Sequence, residues 1–228
     1  MLDLLISDDI MNFPSKSFSQ RCPVRAFSLI ELLSVMAVIS MLAAATVPVL
    51  RGTMDGINIS GAAGLAEAEI QLARQTAISR NLPVEVRFYK HDDGTGNAWR
   101  VVAVVIPDAA SGQASDEWMT PGKVLPGNII IEDSDSFSTV LSQAAPLTGD
   151  KIAPWSSLES ATSPRLLQNK NYVAFQFNPD GSTNLPSGKP WCLTLKNPHS
   201  QPVNSAPAAN YVSIVLDSLT GRTMSYQP

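Results

Sequence analysis

The spacing of apolar residues changes twice along the chain. From Ala26 to Leu50 almost every residue is apolar or small, and Glu31 is the one charged residue. After Gly61 the apolar residues thin to a stripe, with Ala66, Ile70, Ala73 and Ala77 at i, i+4, i+7 and i+11. Leu65 and Leu72 flank the stripe, while Glu67, Glu69, Arg74 and Arg80 lie off it. That spacing predicts an amphipathic helix ending near Asn81, just before Leu82-Pro83. Beyond Pro83 the period drops to two. Val84, Val86 and Phe88 alternate with Glu85, Arg87 and Tyr89, which predicts a half-buried strand.

Further strands follow the same logic. Trp99 to Ile106 reads as a buried strand after the turn-like His91 to Asn97, and Asn128 to Glu132 as a short one after Pro126-Gly127. Val173, Phe175 and Phe177 alternate up to Asn178-Pro179-Asp180-Gly181, whose Pro at the second position and Gly at the fourth suit a type I turn. Trp191, Leu193 and Leu195 form one more strand, and Val212, Ile214 and Leu216 the next. Leu219-Thr220-Gly221-Arg222 turns into a C-terminal strand. Residues 133–170 are rich in Ser, Thr and Pro and predict an irregular insertion with a short helix near Phe137 to Leu141.

The first apolar stretch sets the class of the protein. A helix of about 25 residues is about 37 Å long, against about 30 Å for a bilayer core. Lys16, Arg21 and Arg25 precede it and Arg51 follows. A basic flank stays cytoplasmic, so the C-terminal bulk is expected outside. The first ten residues are acidic, and Met11 competes with Met1 as the true start. A secretory signal peptide cleaved after Ala43-Ala44-Ala45, or a plain anchor, would fit the apolar run alone. Both must tolerate Glu31, at about 2.5–3.5 kcal/mol near the centre of a spanning helix and less near an end.

The run Arg25-Ala26-Phe27-Ser28-Leu29-Ile30-Glu31-Leu32-Leu33, continued to Pro48, resembles the cleavage and methylation motif of type IV pilins and type II secretion pseudopilins. In that family a prepilin peptidase cuts just before the Phe, and the new amine is methylated. The resemblance thus implies cleavage between Ala26 and Phe27 and N-methylation of Phe27. Glu31 then lies fifth in the mature chain and Pro48 twenty-second, where the family carries its helix-kinking Pro. Ala26 stands where the family usually has Gly; a small residue still fits a narrow subsite, and slower cleavage is expected. The family's Glu is thought to neutralise the terminal amine of a neighbouring subunit, which makes Glu31 the assembly residue; complementing the helix dipole alone contributes only about 0.3–1 kcal/mol. Pro48, with Gly52 and Gly56, predicts a kinked or partly melted stretch near residues 44–56.

The layout as a whole resembles the H-type minor pseudopilin of type II secretion. Closer still is the resemblance to the Verru_Chthon cassette protein D family, carried by Gln71 to Ala77, Asn81 to Tyr89, Tyr172 to Thr183, Trp191 to Leu195 and Thr220-Gly221-Arg222. The expected fold class is α+β and pilin-like, a long N-terminal helix with a membrane-spanning first half, packed on an antiparallel β-sheet. The expected division is a leader over 1–26, a transmembrane segment over 27–51, an amphipathic continuation over 52–82 and a periplasmic β-rich domain over 83–228.

Composition narrows the chemistry. The net charge of −4 and the pI near 5.1 argue against a nucleic-acid partner. Two His and two Cys leave little for a metal site, and no phosphate loop or nucleophile elbow is present. No catalytic residue, metal or cofactor is expected. His91 and His199 read as exposed turn residues. Asp92 to Asn97 offers oxygen ligands for calcium but lacks the spacing of an EF-hand, and turn chemistry accounts for it. Cys22 falls in the leader, which leaves Cys192 alone in the mature chain.

The expected function is structural, that of a minor pseudopilin-like subunit that adds to or initiates a filament of the type II secretion or type IV pilus kind. The expected partners are the prepilin peptidase, other pilin or pseudopilin subunits, inner-membrane lipid and secreted cargo. The competing class is an anchored surface binding module that does not polymerise. A tethered hydrolase lacks a nucleophile–base constellation.

Overall fold

The computed structural model describes residues 27–92, 94, 96–112, 115–142, 154–159, 163–200 and 210–228, with the side chains of residues 45–53, 109, 111 and 156 also outside the description. The leader, Cys22, Ala26, and Asp93 and Thr95 of the acidic loop thus lie outside the described residues. The chain divides into two compact units, residues 1–46 and 47–228. One helix, α1 (Leu29–Arg80), carries residues of both.

In the first unit, Ser28 starts α1. Its hydroxyl accepts a hydrogen bond from the Glu31 N–H at 3.2 Å, which satisfies one of the orphan donors of a helix start. From Leu29 to Ala44 every side chain is exposed within the unit, the large apolar ones included. Ser34 and Ser40 turn their hydroxyls back onto the carbonyls of Glu31 and Met36, so these polar groups are satisfied within the helix. α1 is helical without a break over residues 44–56, so the partly melted stretch that Pro48, Gly52 and Gly56 predict there is not found. One proline removes one hydrogen bond, and helix propagates on either side of it.

In the second unit α1 buries Ile59, Ala62, Ala63, Ala66, Ile70, Ala73 and Ala77. The expected stripe is present and extends two turns towards the N-terminus. Five of the seven are alanines, so the helix axis can approach its neighbours closely and the bulk in the core comes from the strands. α1 ends as the sequence predicts. Asn81 takes a left-handed conformation with φ 54°, and the Leu82 N–H reaches the Ala77 carbonyl at 3.3 Å, which makes a Schellman cap.

The strands are β1 (Val84–Asp92), β2 (Asn97–Ile106), β3 (Glu117–Trp118), β4 (Lys123–Val124), β5 (Ile130–Ile131), β6 (Trp155–Leu158), β7 (Asn171–Phe177), β8 (Trp191–Lys196), β9 (Tyr211–Leu216) and β10 (Thr223–Tyr226). A short helix, α2 (Asp108–Ser111), follows β2. All strand pairings are antiparallel, in the order β10-β9-β8-β5-β2-β1-β7-β6, and β3 and β4 also pair with β2. The fold is therefore α+β with a large antiparallel sheet.

The core lies between α1 and one face of this sheet. Val86 pairs with Val104 on one side and Phe175 on the other, and Phe88 with Val102 and Val173. Phe88 and Phe175 stack at 6.3 Å, and Phe175 meets Phe177 edge-on at 5.4 Å, geometries that aromatic pairs favour.

Two expectations need correction here. β1 is not half-buried: Glu85, Arg87 and Tyr89, read as its wet face, are as buried as Val84, Val86 and Phe88. The cover comes from Asp116 and Trp118 and from Glu159 of the insertion expected to be irregular. Its residues Trp155–Leu158 form β6, which pairs with β7, and Glu159 and Ser163 follow over the sheet. The insertion also contains a short 3-10 turn at Thr139–Leu141, inside the helix expected there. Glu69, placed off the stripe, is buried as well, and Lys123 reaches it at 2.6 Å.

Candidate functional site

The N-terminal motif residues are placed in part. Phe27 is 75% exposed, one residue before the Ser28 cap. Glu31 occupies the third helical position, where a negative charge suits the helix dipole. The described residues hold no partner for its carboxylate. Serine followed three residues later by Glu is also the pattern of a capping box, a signal in Ser28-Leu29-Ile30-Glu31 that the sequence reading passed over. Ala26 and the side chain of Pro48 lie outside the description. Among the described residues no helix is long and apolar enough to cross a membrane. The described apolar run stops at Ala44, and the segment expected to span, residues 27–51, continues into side chains outside the description.

In the second unit, three separate sequence blocks converge on one side chain. Arg74 Nε donates to the Thr220 carbonyl at 3.0 Å and, more weakly, to the Gly181 carbonyl at 3.4 Å. One turn earlier Gln71 donates to Thr223 Oγ1 at 2.7 Å. The two turns it joins are themselves tightly built. Gly181 N–H closes on the Asn178 carbonyl as the expected type I turn requires, and Gly221 N–H closes on Asp217. Both glycines have positive φ, 83° and 64°. A Cβ on Gly221 would lie 2.2 Å from the Gly181 carbonyl oxygen, so the two turns touch backbone to backbone. The hydroxyl and N–H of Ser182 hold the Asp180 carboxyl below its usual range, and the Thr220 hydroxyl with the Leu219 N–H does the same for Asp217. These aspartates build turns. Among the described residues no group of His, Cys, Asp and Glu could hold a metal ion.

The family model of the Type II transport protein GspH matches residues 62–214, and that of the prokaryotic N-terminal methylation motif matches residues 21–47. The chain belongs to the GspH family. It is a type II secretion pseudopilin with a prepilin-type N-terminal motif. No curated protein and no solved structure matches it. The finer likeness to the Verru_Chthon cassette proteins rests on the sequence blocks alone. Four of those five blocks, Gln71 to Ala77, Asn81 to Tyr89, Tyr172 to Thr183 and Trp191 to Leu195, fall inside the GspH match, and the Arg74 clamp joins the first of them to the third.

The feature of this GspH-family domain that sequence reasoning missed is the charge cluster on the outer face of the sheet. Arg87 lies 2.7 Å from Glu85, 2.7 Å from Asp116 and 3.1 Å from Glu159. Tyr89 and Ser163 each donate to Glu159 at 2.7 Å. The guanidinium also lies 4.6 Å from the Tyr172 ring centre and 5.7 Å from that of Trp118. Burial opposes the charge on Arg87, but Glu85, the tyrosines and Asp116 outweigh it and raise its pKa further. Burial and the bond to Glu159 push Tyr89 far up, and burial pushes Tyr172 up to about 12. The cluster ties β1, the segment before β3 and the segment after β6 together. The one available signal was three charged or phenolic residues sharing a face with sheet neighbours as apolar as Val101, Ala103 and Ala174.

The histidines divide. His199 is exposed, as expected. His91 is not a turn residue: it belongs to β1, is half-buried, and its Nδ1 lies 3.2 Å from Lys170 Nζ.

Proposed function

We propose that the chain is a minor pseudopilin-like subunit that is cut between Ala26 and Phe27, N-methylated on Phe27, and built into a filament of the type II secretion or type IV pilus kind. The observation that carries this reading is the placement of Glu31. Its carboxylate has no partner among the described residues, and it stands one helical turn from Phe27 in a run with no other charge. After cleavage Phe27 carries a cationic amine. The amine of one subunit and the Glu31 carboxylate of the next are complementary, and leaving either unpaired at low dielectric costs several kcal/mol. Residues 27–51 serve as the inner-membrane segment, with a kink at Pro48 and the β-rich domain on the periplasmic side. That domain meets other subunits or secreted cargo.

Mass spectrometry of the N-terminal peptide tests the processing step. The expected mature start is N-methyl-Phe27. A start at Thr46 contradicts it and supports a secretory signal peptide. The second reading, an anchored binding module, is favoured by the chain's recovery only as a membrane monomer and never in sheared filaments.

A further inference from the structure

Among the described residues, β10 pairs only with β9 and β6 only with β7, so the strand path is open at both ends. Native sheets blunt such edges with charged side chains, proline or a bulge. Neither strand has one. Thr223-Met224-Ser225-Tyr226 and Trp155-Ser156-Ser157-Leu158 carry no charge and no proline, and their registers are unbroken. Met224, Tyr226 and Leu158 are 70%, 60% and 64% exposed.

The two edges fit each other. The path holds an even number of strands, each antiparallel to the next, so β10 and β6 run in opposite directions. A second copy laid beside β10 in the same sense therefore presents β6 antiparallel to it. Backbone groups alternate between the two sides of a strand. The Asp217 N–H bonds the Arg222 carbonyl, so Arg222, Met224 and Tyr226 turn theirs to β9, and Thr223 and Ser225 turn theirs outward. The Glu159 N–H bonds the Lys170 carbonyl, so Ser156 and Leu158 are the outward pair of β6. Both strands are four residues long. Aligned over their full length, they set Thr223 against Leu158 and Ser225 against Ser156, outward groups against outward groups. These residues also share a face. Thr223 and Ser225 stand beside Leu216 and Ile214, and Ser156 stands beside Val173, on the side of the sheet that packs on α1. Met224 then falls opposite Ser157, and Tyr226 opposite Trp155, on the outer face.

We infer that β10 adds to β6 of a second copy of this chain in that register, with about four backbone hydrogen bonds across the joint. Length, direction, backbone phase and lack of charge all match between two edges of one chain, and this selects a second copy over an unrelated strand. The contact joins unlike edges. It is head to tail, and it leaves a free edge at each end for the next copy. The inference rests on the proposed function in one respect: copies held in one membrane reach the effective concentration that so short a joint needs.

The test is disulfide linking in intact membranes, on the full chain with Cys22 and Cys192 replaced by Ser. Met224 and Ser157 make a pair without mutual backbone hydrogen bonds, about 4.5 Å between Cα atoms and within disulfide reach. Co-expressed Met224→Cys and Ser157→Cys chains are expected to link as a mixed dimer. A chain carrying both changes is expected to give a ladder of dimers, trimers and longer species. Met224→Cys with Leu158→Cys, which points to the other face, is expected to link at least about tenfold less. Ser225→Pro removes an outward N–H and spares the ladder to β9, so it is expected to cut linking about tenfold or more. Should Ser225→Pro fail to fold, Ser225→Lys puts a charge on the edge and must cut linking comparably. Absence of the mixed dimer, equal linking of the Leu158→Cys pair, or full linking in a folded Ser225 variant overturns the inference. So does a link from Met224→Cys to a different protein with none to Ser157→Cys. The filament reading fails separately. Linked chains that are absent from sheared filaments break that reading and leave the strand contact standing. Chains that enter sheared filaments without the Met224–Ser157 link break the strand contact and leave the filament.

Discussion

Arg87 has three carboxylates within 3.1 Å and an aromatic ring on its face. Glu31 has apolar side chains around its helix turn and no partner among the described residues. Each is a charge set among apolar neighbours, and the cost of desolvation applies to both. For Arg87 that cost is met inside the chain, by residues from β1, the segment before β3 and the segment after β6. For Glu31 nothing described inside the chain meets it. The contrast separates a charge paired within the fold from one that no described residue pairs, and each can be tested by removing it.

The largest effect is expected at Arg87. Arg87→Met leaves Glu85, Glu159 and Asp116 facing one another without a cation, at a cost of about 3–5 kcal/mol. Chemical denaturation checks this. The additional changes Glu85→Gln and Glu159→Gln should return much of the loss, because the penalty lies in the stranded carboxylates. A loss below about 1 kcal/mol would mean that Arg87 is solvated and the comparison with Glu31 is false.

Gly221→Ala comes next. It forces a Cβ into a left-handed backbone and against the Gly181 carbonyl, so a loss of about 2 kcal/mol or more is expected. Relief of the Arg74 clamp should accompany it, seen as faster amide exchange at Gly181 and Thr183. Gly181→Ala should cost less, because its Cβ meets the end of the flexible Ile78 side chain.

A smaller and graded effect comes from the phenols of the Arg87 cluster. Tyr172 is held neutral up to about pH 12, while an unfolded tyrosine ionises near 10. The folded chain therefore keeps a proton that the unfolded chain releases. Stability is intact below about pH 10 and falls by about 1.4 kcal/mol per pH unit from there until pH passes about 12. Tyr89, shifted the same way, steepens the fall. Urea midpoints at pH 9 and pH 11 measure it, and Tyr172→Phe should flatten the slope.

What could be read from the residues follows from where the pattern is local. Helix α1, its stripe and its end are legible because 3.6-residue spacing and the Asn81-Leu82-Pro83 stop are properties of neighbouring residues. Strands β1, β2 and β7 to β10 are legible for the same reason. The outer face of β1 is not. Its alternation of Val84, Val86 and Phe88 with Glu85, Arg87 and Tyr89 describes a wet face unless something covers it, and the cover is Asp116, Trp118 and Glu159, all far along the chain. The Arg74 clamp is half legible: each turn shows in its own Asp and Gly residues, but not their meeting on one guanidinium. The N-terminal motif is the reverse case. Its meaning lies in residue order and spacing, so it can be read with Ala26 and the side chain of Pro48 outside the described structure.

The contrast is decided most directly by Glu31→Leu. The change removes a charge with no described partner, so the denaturation midpoint of the domain should stay within about 0.5 kcal/mol of the parent. Membrane insertion should be equal or better, and cleavage before Phe27 should persist. Incorporation into sheared or cross-linked assemblies is the measurement that counts. Cleaved, stable Glu31→Leu protein is expected to be absent from them, because the Phe27 amine of a neighbour is left without its carboxylate. Incorporation of Glu31→Leu at the level of the parent would rule out a Glu31–Phe27 contact between subunits and leave α1 as an anchor alone.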